Sequence, residues 1–180
     1  ESDAGRQHRF EVCDVRSRAQ VEQLCAAQQP IDAAILNAGI YPLTDWNADD
    51  WGDQLHEVMD VNVAGPAHFA RALLPAMKAR GYGRIAVVGS VAAYTGGTFS
   101  HAPVHYAASK GAIHTFVRWL ARRAAPEVMV NAVAPGAIAT GMVAMALDMV
   151  SLSTDSFLFA AALDEWSWWQ GTVLLVILGA

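Results

Sequence analysis

The chain has 180 residues, of which 54% are hydrophobic and 16% charged, and its formal net charge is -5. This length fits one ordinary domain, and soluble domains carry about 25% charged residues, so the apolar bias predicts strands buried on both faces or a large subunit interface. The acidic balance and the lack of a Lys and Arg cluster exclude the electrostatic footprint of a nucleic-acid-binding protein.

The cysteines and the chain ends point to a cytoplasmic protein. Cys13 and Cys25 lack the spacing of a zinc site or a CxxC motif, which is typical of reduced thiols. No basic segment followed by an apolar run opens the chain, so we expect no secretory signal. The run from Thr172 to Ala180 is too short to span a bilayer and is interpreted as a buried terminal strand. We therefore expect neither a membrane-spanning segment nor a metal site.

The first part of the chain alternates strand-like and helical patterns. Residues 1–8 are polar and are interpreted as a linker or a cut end. The run from Phe10 to Val15 predicts a short strand that ends at Asp14. Apolar positions at helical spacing predict a helix from Ser17 to Gln28, which Pro30 ends.

The next buried strand is predicted from Ile31 to Leu36, and it delivers a polar turn at its carboxyl end, Asn37, Ala38 and Gly39. A long helical pattern follows from about Asn47 to Arg80, broken near Pro66 and Pro75. Aspartates near its start are interpreted as helix-dipole partners rather than metal ligands.

The remaining elements continue the same alternation. A strand is predicted from Arg84 to Val88, followed by Ser90 and then by a loop rich in Gly and Thr from Ala93 to Pro103. A helix then runs to about Ala124, and a strand from Val128 to Ala134 closes at two turn residues, Pro135 and Gly136. Alternating strands and helices predict an α/β fold with a Rossmann-like, doubly wound, mostly parallel sheet, in which ligands lie beyond the carboxyl ends of the strands.

Tyr106 and Lys110 are four residues apart on the predicted helix and therefore share one face. A neighbouring ammonium favours the phenolate, which would make Tyr106 a candidate general acid or base. A surface helix that carries the two residues by chance is the alternative for this pattern alone.

Six features in a fixed order resemble the short-chain dehydrogenase/reductase family over residues 9 to 141: Asp14-Val15, Asn37-Ala38-Gly39, Asn62, Ser90, Tyr106-x-x-x-Lys110 and Pro135-Gly136. Residues 163–173 also resemble the last loop and strand of the family. The resemblance implies one domain over residues 1–180, with a shortened substrate lid at 142–162 and a C-terminal loop and strand at 163–180.

The resemblance also implies a set of catalytic roles. Tyr106 would exchange a proton with the substrate oxygen while hydride moves between the nicotinamide and the substrate carbon. Lys110 would lower the pKa of Tyr106 and hold the nicotinamide ribose, and Ser90 would bind the substrate oxygen. Asn62 would anchor a water of the proton relay. Because Pro66 has no N–H to give to the Asn62 carbonyl, that carbonyl could hold the water; alternatively, Pro66 only kinks the helix.

The implied cofactor is NAD or NADP, and the sequence does not discriminate between them. Asp14 and Val15 would lie beside the adenine, and Asn37, Ala38 and Gly39 along the adenosine half. The resemblance also implies four residues that would surround the nicotinamide and the diphosphate: Pro135, Gly136, Ile138 and Thr140. Turn formation alone is the alternative explanation for the glycines.

The sequence departs from the family in ways that bear on activity. It has no Thr-Gly-x-x-x-Gly-x-Gly loop to hold the cofactor diphosphate, and no strand that would separate NAD from NADP. We therefore predict a truncated or rearranged member. Either the strand at Phe10 to Asp14 shifts to pair with the strand at Ile31 to Leu36, or the latter becomes an exposed apolar edge. The sixteen positions from Ser90 to Tyr106 require the intervening loop to bulge.

Two functions remain open at this stage. The first is an oxidoreductase that interconverts a secondary alcohol and a ketone, on a 3-oxoacyl or a sugar or polyol substrate, in a homo-oligomer. The second is an inactive family member that acts only through subunit association. A serine hydrolase is disfavoured because Ser90 lies outside a Gly-x-Ser-x-Gly elbow. His101 and His105 could touch substrate, although solvated loop histidines are commoner.

Overall fold

The computed structural model describes residues 10–97 and 102–136, which form a three-stranded parallel sheet with helices packed on it. In chain order the elements are α1 (Arg18–Ala27), β1 (Ala33–Leu36), α2 (Trp51–Met59), a π-helical segment (Asp60–Ala64), α3 (Gly65–Arg80), β2 (Gly83–Val88), α4 (Ala92–Thr95), α5 (Val104–Ala124) and β3 (Val128–Val133).

The sheet has the order β1-β2-β3, and both pairings are parallel. Ala33 lies opposite Arg84, and Gly83 lies opposite Val128. Because all three strands run in the same direction, the residues that follow them meet at one edge of the sheet. The predicted α/β class with a parallel sheet is confirmed, and the predicted site residues that follow β1, β2 and β3 lie at that edge.

The predicted strand from Phe10 to Asp14 is wrong. This segment forms no strand, and the side chains of Phe10 and Val12 are 80% and 95% exposed. Cys13 and Val15 are buried instead, and Val15 packs against Gly65 at the start of α3. A short strand needs a neighbour to satisfy its backbone groups, and β1 pairs with β2 alone within the described residues. Of the two predicted arrangements, the structure shows β1 as an edge, with Ile35 44% exposed.

The long helical pattern is confirmed, with one local correction. The backbone stays helical from Trp51 to Arg80, but it widens into the π-helical segment at Asp60–Ala64, which ends two residues before Pro66. The predicted break at Pro75 does not occur, because α3 continues through it. Pro75 lies on the exposed side, where water can satisfy the carbonyl that its missing N–H leaves free.

The core lies between the sheet and the helices α1, α3 and α5. Its largest fully buried apolar side chains come from α3, α5, β2 and the segment before β1. They are Ile31, Phe69, Leu73, Met77, Ile85 and Ile113. Ser17 is the N-cap of α1, and its side chain accepts a hydrogen bond from the Gln20 N–H. No helix within residues 10–97 and 102–136 is long and apolar enough to cross a membrane.

Candidate active site

Tyr106 and Lys110 lie one turn apart on α5 and are almost fully buried, with 8% and 5% of their surfaces exposed. The Lys110 Nζ donates a hydrogen bond of 2.9 Å to the carbonyl of Val88, the last residue of β2. The same Nζ lies 5.6 Å from the centre of the Tyr106 ring. The helix face predicted from the spacing therefore points at the carboxyl end of β2.

Ser90 follows β2 by two residues, and its side chain lies near enough to the Tyr106 hydroxyl to lower the pKa of that group. Burial raises the pKa of Tyr106, and the neighbouring Ser90 side chain opposes this rise without cancelling it. Burial also lowers the pKa of Lys110, to about 8. The sequence led us to expect a lysine that lowers the pKa of the tyrosine. The structure differs because both groups are desolvated, which favours their neutral forms.

Asn62 is 1% exposed and lies in the π-helical segment. Its Oδ1 accepts a hydrogen bond of 2.7 Å from the Ile40 N–H, and its Nδ2 donates to the Ile40 carbonyl at 3.1 Å and to Ser109 Oγ at 3.0 Å. Ser109 Oγ in turn donates to the Tyr106 carbonyl at 2.7 Å. The Asn62 side chain thus ties the turn after β1 to the helix that carries Tyr106. The proposed water on the Asn62 main-chain carbonyl stays a prediction.

Gly39 brings the turn after β1 against the same cluster. A Cβ atom placed on Gly39 would lie 3.3 Å from Asn62 Oδ1 and 3.5 Å from Lys110 Nζ. A larger side chain would therefore fill the space beside the amine. Ala38 is partly buried and Asn37 is exposed, so the turn runs from solvent at Asn37 to the position of Gly39 beside Lys110.

Asp14 and Val15 lie apart from this cluster. The Asp14 carboxylate pairs with Arg16 at 2.9 Å, and this bond lowers the pKa of Asp14. The Val15 side chain is buried, and its carbonyl lies 3.1 Å from His68 Nδ1. A role beside the adenine would fall to the Asp14 carboxylate or to the Val15 backbone, and it stays a prediction.

The residues predicted around the nicotinamide are described only in part. The Pro135 carbonyl accepts a hydrogen bond of 3.0 Å from the Val91 N–H, which places Pro135 beside the chain that follows β2. Gly136 is exposed and lies next to it. Ile138 and Thr140 lie outside the described residues, as do the predicted lid at 142–162 and the C-terminal strand.

Sequence reasoning missed Tyr41 and misjudged His105. The Tyr41 ring meets the Tyr106 ring edge-on, with 4.6 Å between the ring centres, and burial raises the pKa of Tyr41. His105 is neither solvated nor in a loop: it lies in the first turn of α5, is 1% exposed, and its Nε2 lies 3.1 Å from the Pro42 carbonyl. Both contacts join residues more than 60 positions apart, so no local pattern could have indicated them.

Comparison with known proteins places this arrangement in a family. The sequence model of the short chain dehydrogenase family matches residues 1–150. An uncharacterised oxidoreductase of Bacillus subtilis, YmfI, is 40% identical over 118 residues, which cover 63% of this chain and 46% of that protein. Galactitol 2-dehydrogenase (L-tagatose-forming) of Cereibacter sphaeroides is 38% identical over 139 residues, which cover 73% of this chain and 52% of that protein.

Solved structures give the same result for the fold. A 3-oxoacyl-[acyl-carrier protein] reductase from Brucella melitensis, solved with bound NAD, is 36% identical and superposes with a TM-score of 0.64, covering 74% of this chain and 53% of that one. The chain spans about half the length of the curated relatives that it matches. The matched sequence, the parallel sheet and the Ser90, Tyr106 and Lys110 cluster lead to one conclusion: this chain belongs to the short-chain dehydrogenase family.

Proposed function

We propose that the chain carries the proton-transfer centre of an NAD(P)-dependent oxidoreductase that interconverts a secondary alcohol and a ketone. The observation that carries this proposal is the buried Tyr106 side chain, with Ser90 beside its hydroxyl and the Lys110 amine behind it, at the carboxyl edge of a parallel sheet. These three groups supply an acid, a donor for an oxyanion and a cation, which are the groups that carbonyl reduction needs.

The nicotinamide would supply the hydride in carbonyl reduction and accept it in alcohol oxidation. In reduction, the substrate carbonyl oxygen gains a proton from the Tyr106 hydroxyl while Ser90 Oγ donates a hydrogen bond to the same oxygen. The raised pKa of Tyr106 favours the phenol at neutral pH, which suits this direction. Lys110 would use the N–H groups that do not bond Val88 to hold the ribose hydroxyls.

The residues around Lys110 fit a cofactor of this kind. The missing Cβ of Gly39 leaves space beside the Lys110 amine, and Asn37 opens toward solvent from the same turn. Asn37, Ala38 and Gly39 would hold the adenosine half, while Pro135 and Gly136 would flank the nicotinamide. The 180 residues contain no recognisable motif for binding the cofactor diphosphate. We therefore expect these residues to bind NADH or NADPH weakly.

The names of two relatives support a proposal for the substrate class. Proteins similar to this chain include a galactitol 2-dehydrogenase and a 3-oxoacyl-[acyl-carrier-protein] reductase from Buchnera aphidicola. Both names describe oxygen functions on an internal carbon, and a phenol beside a hydroxyl suits a reaction at one such oxygen. We propose a 3-oxo ester or a ketose as substrate, and a homo-oligomer as the working form.

The experiment is a titration of the chain with NADH and NADPH, followed by nicotinamide fluorescence, and then turnover assays with ethyl acetoacetate and L-tagatose. Binding of either cofactor, with turnover that Tyr106→Phe abolishes while cofactor affinity is unchanged, is the expected result. Absence of binding at millimolar cofactor would count decisively against the oxidoreductase. Turnover by Tyr106→Phe equal to that of the wild type would show that Tyr106 does not transfer the proton.

The exposed edge of the sheet favours a second candidate function, association without catalysis. β1 pairs with β2 alone within the described residues, and Ile35 on β1 is 44% exposed. Unpaired apolar edges promote pairing with other chains. If sedimentation shows a stable oligomer that Ile35→Lys dissociates, while neither cofactor binds, the second function is the correct one.

A further inference from the structure

His114 is a buried histidine beside the catalytic cluster that the proposed mechanism does not use. It lies on α5 one turn beyond Lys110 and is 8% exposed. Its Nε2 accepts a hydrogen bond of 3.4 Å from the main-chain N–H of Ser90. Its Nδ1 lies 2.6 Å from the hydroxyl oxygen of Tyr94 in α4. The imidazole therefore bridges two elements that both follow β2.

The Ser90 N–H needs a partner that the sheet does not supply. The N–H groups on either side of it, those of Gly89 and Val91, donate to the carbonyls of Val133 and Pro135, at 2.8 and 3.0 Å. Successive N–H groups of an extended chain point to opposite sides, so that of Ser90 points away from β3. On that side the pairing with β1 ends opposite Val87. The acceptor that this N–H finds is His114 Nε2.

The two bonds fix the tautomer of the imidazole. A backbone N–H can only donate, so Nε2 must be the unprotonated nitrogen, and Nδ1 then donates its proton to the Tyr94 oxygen. Burial, followed by the charges of Arg118 and Lys110, lowers the pKa of His114 and favours this neutral form. The Tyr94 and His114 rings meet edge-on at 4.8 Å, which sets the ring plane.

Gly89 leaves the room that the imidazole occupies. A Cβ at this position would overlap His114 Nε2 and would lie 3.0 Å from the Val133 carbonyl. The absence of a side chain at Gly89 is therefore what allows the ring to approach the main chain of Ser90.

We propose that His114, oriented by Tyr94, is a positioning residue that holds the main chain of Ser90 so that its hydroxyl faces Tyr106. His114 does not touch the reacting atoms, and it acts through Ser90. This role rests on the proposed oxidoreductase, because it assigns a function to the contact only if Ser90 binds the substrate oxygen.

The kinetic test uses four variants, His114→Phe, His114→Gln, Tyr94→Phe and Ser90→Ala, with ethyl acetoacetate as substrate and NADPH or NADH as cofactor. Loss of the ring nitrogens in His114→Phe should lower kcat about 10-fold, because misplaced catalytic groups lose rate steeply, and should leave the cofactor Kd unchanged. His114→Gln should recover most of the rate, since its amide can both accept and donate. Tyr94→Phe should show a smaller loss, because Tyr94 is 70% exposed and only orients the ring.

A double variant separates positioning from general stability. If His114 acts only through Ser90, then Ser90→Ala combined with His114→Phe should be no slower than Ser90→Ala alone. Losses that multiply in the double variant, or a kcat for His114→Phe equal to that of the wild type, would overturn the proposal.

Two measurements without turnover keep this proposal distinct from the proposed function. Long-range proton–nitrogen NMR spectra should show the His114 ring protonated at Nδ1 at neutral pH. Amide exchange should become faster at Ser90 in His114→Phe, while Gly89 and Val91 stay protected. If the Ser90 amide exchanges at the wild-type rate, or the ring is protonated at Nε2, the positioning role is wrong. If both NMR results are as expected but no cofactor binds, then it is the oxidoreductase that fails.

Discussion

Lys110 makes the stability of the fold depend on pH in a direction that can be worked out from its burial. Its pKa is about 8 in the folded chain, against 10.5 for a solvated lysine. One pKa unit corresponds to about 1.36 kcal/mol, so keeping this ammonium charged at neutral pH costs the folded state about 3 kcal/mol. Between pH 8 and 10.5 the unfolded chain binds a proton that the folded chain has released. The free energy of unfolding attributable to Lys110 therefore rises with pH across this window.

Other groups act in the opposite direction at higher pH. Burial raises the pKa of Cys25 from 9.0 to about 11, and it also raises those of Cys13, Tyr41 and Tyr106. Above pH 9 the unfolded chain loses these protons first, which lowers stability as pH rises. The total curve would hide the lysine contribution, so the comparison must be made against a variant that lacks only the amine.

Lys110→Met supplies that control, because it keeps a long side chain at the position and removes the titrating group. Urea unfolding of both proteins at pH 7, 8 and 9 gives the difference in their free energies of unfolding. We expect the difference to shift in favour of the wild type by roughly 1 kcal/mol from pH 7 to 9, the part of the lysine effect that falls in this range. Loss of the hydrogen bond to Val88 changes the free energy of unfolding of Lys110→Met by the same amount at each pH, so it does not affect the pH dependence of the difference. A difference that stays flat with pH would show that the ammonium is not desolvated, and the reasoning would be refuted.

Two further predictions concern the turn after β1. Asn62→Ala removes two hydrogen bonds to the Ile40 backbone and one to Ser109 from a site that is 1% exposed, so we expect a loss of about 2–4 kcal/mol in urea unfolding. A loss below about 1 kcal/mol would mean that water replaces the amide. Gly39→Val fills the space beside Lys110 Nζ, and we expect it to weaken NADH or NADPH binding at least 10-fold in the fluorescence titration, with Gly52→Ala on the open face of α2 as the matched control. Equal Kd values for both variants and the wild type would show that the cofactor does not bind beside this turn.

The sequence was sufficient wherever local chemistry decides the structure. Ser17 and Pro30 bracket α1, β-branched runs mark β2 and β3, and the four-residue spacing of Tyr106 and Lys110 places both on one helix face. These features depend on residues within a turn or two of each other, so they are visible in a linear pattern.

The sequence was insufficient wherever a partner distant along the chain decides. Phe10 to Asp14 has the composition of a strand but lacks a strand beside it, and Cys13 is its one residue in the buried core. His105 looked like a loop residue, yet it binds the Pro42 carbonyl 63 positions away. The Asn62 side chain connects Ile40 and Ser109, 22 and 47 positions away, and no local pattern indicated either contact. Side chains that satisfy distant backbone groups have no periodicity to reveal them.

The burial of Tyr106 and Lys110 sets a condition on the direction of the proposed reaction. Burial favours the phenol of Tyr106 and the neutral amine of Lys110. A tyrosinate is therefore stabilised most when Lys110 is protonated. A protonated Lys110, 5.6 Å from the centre of the Tyr106 ring, favours the tyrosinate, and a further positive charge brought beside the phenol would favour it in the same way. An oxidised nicotinamide ring is positive and a reduced one is neutral. Under the proposed function, the oxidised form therefore favours the tyrosinate that takes a proton from an alcohol. The reduced form leaves the phenol that gives one to a ketone, so the redox state of the cofactor would select the protonation state that its own half-reaction requires.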